Sequence, residues 1–128
     1  MPISYRIDLR QNVIWTTVTG ILTDCEILEH KQKILKDPDF RPGMRELSDV
    51  RKVERLDITS EGVQRFVAQD ADDTLLHRNH RIAIVAQEDV VFGMARMYAM
   101  MTENNLGDVM VFRDMKDAIA WLGIEEQE

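Results

Sequence analysis

Hydrophobic and polar positions first alternate along this chain and then fall into helical spacing. Tyr5, Ile7 and Leu9 interleave with Arg6, Asp8 and Arg10, the period-two pattern of a strand with one wet face at a sheet edge. Asn12 suits a tight turn. Val13 to Thr19, VIWTTVT, is rich in β-branched side chains, so it is expected to pair back antiparallel and to end at Gly20. Thr23-Asp24-Cys25-Glu26 is a capping box, in which a threonine hydroxyl and a glutamate three residues later satisfy each other's free backbone amides. The helix it opens turns Ile27, Leu28, Ile34 and Leu35 inward, keeps Glu29, Lys33 and Lys36 in water, and stops at Asp37-Pro38.

The connector DPDFRPG tucks Phe40 against the core and leads to a short strand, Glu46 to Val50, followed by a charged loop. The segment LDITSEGV then opens a helix whose buried face is Val63, Phe66 and Val67. Beyond Asp70-Ala71-Asp72-Asp73, Ile82 to Ala86 is apolar at nearly every position, as in a central parallel strand covered on both faces. A long helix from Glu88 to Asn104 leads through Leu106-Gly107 to a strand, Val109 to Phe112. Asp114 caps a last helix that turns Ala118, Ile119 and Leu122 inward and ends at Gly123. This order predicts an α/β domain in which an N-terminal hairpin feeds right-handed strand-helix-strand units. The product is a mixed five-stranded sheet, parallel after the hairpin, with four helices mainly on one face. Residues 1–124 form the single domain, and 125–128 an acidic tail expected to be disordered.

A length of 128 residues with 45% hydrophobic content fits one core. The 23 acidic against 16 basic side chains give a net charge of -7, which repels phosphate backbones, so nucleic acid is not an expected partner. Cys25 is the single cysteine, so no intrachain disulfide forms, and its neighbours Asp24 and Glu26 oppose a thiolate; it is read as structural. The N-terminal MPISYRIDLR lacks the apolar run of a secretory signal, and nothing approaches the roughly twenty apolar residues of a membrane span. A cytoplasmic location is the expectation.

RIAIVAQEDVVFGMARMYAMM followed by VMVFRDMKDAIAWLG resembles the SpoIIAA-like group of small bacterial proteins, within the STAS fold of anti-sigma-factor antagonists. The resemblance implies that fold over nearly the whole chain. It implies a non-enzymatic regulatory or protein-interaction domain with a protein partner, acting as a homodimer. The alternative it leaves open is a carrier or sensor of a small apolar, lipid-like ligand, because related folds hold such molecules. In phosphorylatable STAS domains a serine stands at the N-terminus of the helix after the third strand, in an Asp-Ser-Ser-Gly-like motif. Asp57, Thr59, Ser60 and Gly62 come nearest here, with Ile58 where the first serine would stand and Glu61 between the hydroxyls and the glycine.

Thr59 and Ser60 therefore carry two readings. A hydroxyl at a helix start caps its free amides, and a phosphate there is stabilised by the same amides and dipole. Arg51, Lys52 and Arg55 precede the helix and could receive a phosphate, whereas Glu61 already supplies negative charge. On the long helix Val90, Met94, Met97 and Met101 share one face, expected in the core, while Gly93 and Met100 lie on another. Thioethers adapt to irregular surfaces, so Phe92, Met97, Tyr98, Met100 and Met101 are the candidate contacts for an apolar ligand or partner helix. His77 and His80 beside Asp70, Asp72 and Asp73 lack convergent metal-ligand spacing and are read as a solvated acidic surface, so neither metal nor other cofactor is expected. No Gly-rich phosphate loop, Ser-His-Asp order or closely paired carboxylates emerges, so no catalytic residue is assigned and no enzyme is expected.

Overall fold

In the computed structural model, residues 2–72, 81–101 and 108–125 are described, the side chains of 66, 67, 69–72 and 101 excepted. Strands β1 (Ile3–Asp8) and β2 (Val13–Thr23) form an antiparallel hairpin with Ile3 opposite Val18 and Asp8 opposite Val13. Asn12 supplies the left-handed turn residue at φ 57°, a conformation its short polar side chain tolerates. There follow α1 (Asp24–Lys36), β3 (Arg45–Asp57), α2 (Ser60–Asp72), β4 (Arg81–Val85), α3 (Asp89–Met101), β5 (Asp108–Phe112) and α4 (Met115–Leu122). The strands β2 to β5 are mutually parallel, and spatial order equals chain order, which leaves β1 and β5 as the sheet's edges.

Strand alternation divides the interior into two layers. Val13, Leu47, Ala83 and Val85 point to one face and pack with Ala118 and Leu122 of α4. Side chains of opposite parity point to the other face, where Ile14 meets Ile34 of α1, and Val18 and Leu22 join Val91 of α3. Helix α2 packs between α1 and α3 on that same side. Among the described residues, three helices thus cover one face and α4 the other. The α1 capping box forms as the sequence predicts, Asp37 ends that helix, and Asp114 and Gly123 cap α4 at its two ends.

Several boundaries differ from the sequence expectation, each for a physical reason. Strand β3 is not a short strand with a charged loop: it runs 13 residues and takes in Arg51 to Arg55. The charges stay in water while Val53, 4% exposed, anchors the segment in the core. Its length is set by β2, which does not end at Gly20 but continues to Thr23. Gly20 takes φ 72° beside a register shift, so the glycine permits an irregularity within the strand. Leu9 falls in the turn beyond β1 and is exposed. Val90, expected in the core, is 73% exposed. The contacts of Phe66 and Val67, the segment 102–107 and the tail residues 126–128 lie outside the described residues; Glu125 is hydrogen-bonded to Gln11 through both its amide and its carbonyl. No helix among the described residues is long and apolar enough to cross a membrane.

Candidate functional site

Between the three-helix layer and the sheet lies a cavity of about 160 Å³. Its roof is set by two helical stripes with the same spacing. On α1 the inward positions i, i+3, i+4 and i+7 are Ile27, His30, Lys31 and Ile34, the first three lining the cavity. On α3 they are Val91, Met94, Ala95 and Tyr98, all four lining it. The floor comes from strand positions two apart: Thr16 and Val18 of β2, Glu46 and Ser48 of β3, Ile82 and Ile84 of β4. Leu22, Leu56, Ile58 and Val63 close the end where β2 and β3 run out. Among the described residues the wall is apolar except at one end, where polar side chains from four elements converge.

Glu46 organises that end. Its Oε2 accepts a hydrogen bond from Thr16 Oγ1 at 2.9 Å, lies 3.3 Å from His30 Nε2, and accepts a longer one from Ser48 Oγ at 3.4 Å. Thr16 is 3% exposed, and the His30 and Glu46 side chains are each 12% exposed, so the carboxylate works in a medium of low dielectric and needs these donors. Lys31 Nζ is shielded from solvent and sits over the Tyr98 ring, 5.9 Å from its centroid. Burial pushes the Tyr98 phenol well above its ordinary value, and the negative charge of Glu46 pushes it the same way.

The His30 ring is held from outside by Tyr5, edge-on at 5.6 Å between ring centroids. Tyr5 in turn donates to Asp37 Oδ2 at 2.7 Å, which ties β1 to the end of α1. Burial first, and then this hydrogen bond and the Asp37 charge, push the Tyr5 phenol up to about 12. A hydrogen bond from the Asp39 amide and the one from Tyr5 hold the Asp37 carboxyl below the usual carboxylate range. A phenol that keeps its proton longer in the folded chain stabilises the fold fully below the unfolded value, about pH 10, and loses that contribution as pH rises toward 12. The chain has two tyrosines, both raised. Tyrosinate absorbance is therefore expected to show no ionisation near pH 10 in the folded protein and two such events in denaturant.

Thr59 and Ser60 occupy a different place, at the start of α2. Thr59 Oγ1 accepts from the Gly62 amide at 2.9 Å and donates to Asp24 Oδ2 at 3.2 Å, while its own amide donates to Asp24 Oδ1 at 3.4 Å. The Asp24 carboxylate, carried by the first residue of α1, thereby sits at the N-terminus of α2 and supplies the negative charge that the dipole favours. A Cβ at residue 62 would lie 2.3 to 2.5 Å from the atoms of that carboxylate, so a larger residue there would displace the Asp24 side chain. Ser60 is exposed at the first helical position. Asp57 pairs with Arg55 at 3.0 Å, and Arg51 with Asp49 at 2.9 Å. Burial raises the Asp49 carboxyl, but the Arg51 hydrogen bonds and charge outweigh it and hold it low. A phosphate on Thr59 would meet Asp24, with two of the three neighbouring cations engaged elsewhere. Thr59→Ala is expected to cost about 1 kcal/mol, the usual loss of a cap, and Ser60→Ala less than about 0.5 kcal/mol, as measured by thermal melts.

The methionine-rich helix divides its candidates. Tyr98 lines the cavity, together with Met94. Phe92 instead lies under the Arg113 guanidinium, 4.1 Å from the ring centroid, and Arg113 also pairs with Asp89 at 2.9 Å. Met97 is half-buried outside the cavity lining, Met100 is 67% exposed, and the side chain of Met101 lies outside the described residues. His77, His80 and Asp73, and the side chains of Asp70 and Asp72, also lie outside them. No cluster of metal-ligating side chains occurs among the described residues, and Cys25 is exposed. The sequence reading missed Thr16, His30, Lys31, Glu46 and Ser48. The available signal was a set of polar residues at positions where period and neighbours demand apolar ones.

No family model matches the chain, and no curated protein matches it in sequence. Among solved structures, it is similar to an uncharacterized protein of the DUF3478 family with a SpoIIAA-like fold, from Shewanella loihica PV-4. The TM-score is 0.59 at 18% identity, over 94% of this chain and 93% of that one. At that identity the likeness is one of fold: this chain has the SpoIIAA-like α/β architecture expected of it.

Proposed function

We propose that the protein is a non-enzymatic binding domain that carries or senses a small, largely apolar molecule held between its sheet and α1 and α3. The observation that carries this reading is the cavity itself, about 160 Å³ with apolar walls and polar groups gathered at one end. A close-packed interior leaves few voids larger than a water molecule, and an apolar void of roughly 150 Å³ suits a guest the size of benzene. The polar end would fix the orientation of such a guest, as a few placed polar groups do in ligand sites generally. Native mass spectrometry of protein purified from its own cells tests the reading. A bound small molecule that disappears on denaturation is the expected result; identical masses in both states would argue against it.

A second reading, contact with a protein partner or with a second copy, is favoured by one separate observation. Val90, Gly93, Met97 and Met100 fall on one stripe of α3, with Val90 and Met100 strongly exposed. Sedimentation equilibrium at micromolar concentration would return a mass above 14.9 kDa if that stripe pairs copies of the chain, and the monomer mass if it does not.

A further inference from the structure

We propose that the cavity selects guests whose polar head is uncharged, a hydroxyl or carbonyl on a short hydrocarbon, and disfavours both carboxylates and amines. This rests on the binding reading above and goes further by naming the head group.

Charge balance at the polar end decides which heads fit. Glu46 and Lys31 both line the cavity and both are withdrawn from water. Tyr98 connects them in space: its ring lies under the Lys31 ammonium, and its hydroxyl feels the Glu46 carboxylate. The charges these two bring to the lining sum to zero. A guest carboxylate would add one surplus negative charge in a medium that screens poorly, and a guest ammonium one surplus positive charge; both must also shed their hydration. A hydroxyl or carbonyl adds no charge and meets an end already rich in donors and acceptors: the Thr16 and Ser48 hydroxyls, the His30 ring and the Glu46 carboxylate they surround. The opposite end, closed by Leu22, Ile58, Val63 and Val91, takes the hydrocarbon.

The test compares 1-hexanol, hexanoate and hexylamine, identical in chain and different in head, by following the Met94 methyl resonance at about pH 8, where the hexanoate and hexylamine heads are charged. Hexanol is expected to bind the wild-type protein at least about tenfold more tightly than either charged analogue. Glu46→Gln takes one negative charge out of the lining, so hexanoate should gain about tenfold relative to hexanol; Lys31→Met takes out one positive charge, and hexylamine should gain instead. Equal binding of hexanoate or hexylamine and hexanol to the wild type overturns the head-group selection while leaving the cavity reading intact. Folded variants that leave the ranking unchanged overturn it as well. Failure of all three compounds to move Met94 removes the cavity reading and this inference together. Should one variant not fold, the other and the wild-type series decide.

Discussion

Glu46→Ala is expected to lower the stability of the folded chain by about 3 kcal/mol, a larger loss than truncating any other polar side chain of the cavity wall should cause. The carboxylate is 12% exposed and receives Thr16, His30 and Ser48 on one oxygen. Truncation removes the acceptor and leaves those groups in an apolar surrounding, with Thr16 cut off from water almost completely. It also takes a negative charge out of the wall that Lys31 shares. Glu46→Gln keeps an oxygen in place, so its cost should be about half as large or less. Urea titrations of the two variants measure the difference. Equal and small losses would mean that the cluster is open to solvent and does little to hold β2, β3 and α1 together.

Ala95→Phe should do the opposite to stability and the most to binding. Ala95 lies on the inward stripe of α3 and lines the cavity. In a filled core an added ring forces strain of about 1 to 3 kcal/mol, but here it would enter open space and bury apolar surface. The expected result is a melting temperature unchanged or raised, equivalent to a gain of about 0.5 to 1 kcal/mol, with affinity for 1-hexanol lowered at least about tenfold. Thermal melts and the hexanol titration are read on the same sample. A marked drop in melting temperature with binding preserved would show that α3 does not present Ala95 to the cavity.

Local signals in the chain were legible, and long-range ones were not. The hairpin around Asn12, the Thr23-Glu26 capping box, the Asp114 cap and the apolar β4 each depend on residues within a few positions, so spacing alone is enough to find them. The length of β3 is different in kind: Arg51 to Arg55 reads as a loop until β2 offers it a long partner strand. Val90 was misplaced because the inward stripe of α3 is Val91, Met94, Ala95 and Tyr98, one position on from the stripe drawn through Val90. The polar cluster was hidden by the same limit. His30 lies 14 residues from Thr16 and 16 from Glu46 along the chain, and the three meet only when α1 folds over the hairpin. Each is ordinary when taken alone: a threonine in a strand, a histidine in a charged helix, a glutamate opening a mixed strand.

The most direct test of a binding site between sheet and helices is a methyl-labelled NMR titration of the wild-type protein with 1-hexanol, using its methionines as position markers. Met94 faces the cavity, Met44 is buried in a separate cluster with Ile14 and Ile34, and Met100 and Met110 are exposed on the surface. If that space is a binding site, the Met94 resonance shifts and saturates while Met44, Met100 and Met110 stay where they are. Saturable shifts at Met100 with Met94 unmoved would contradict it and place the binding surface on the outer face of α3.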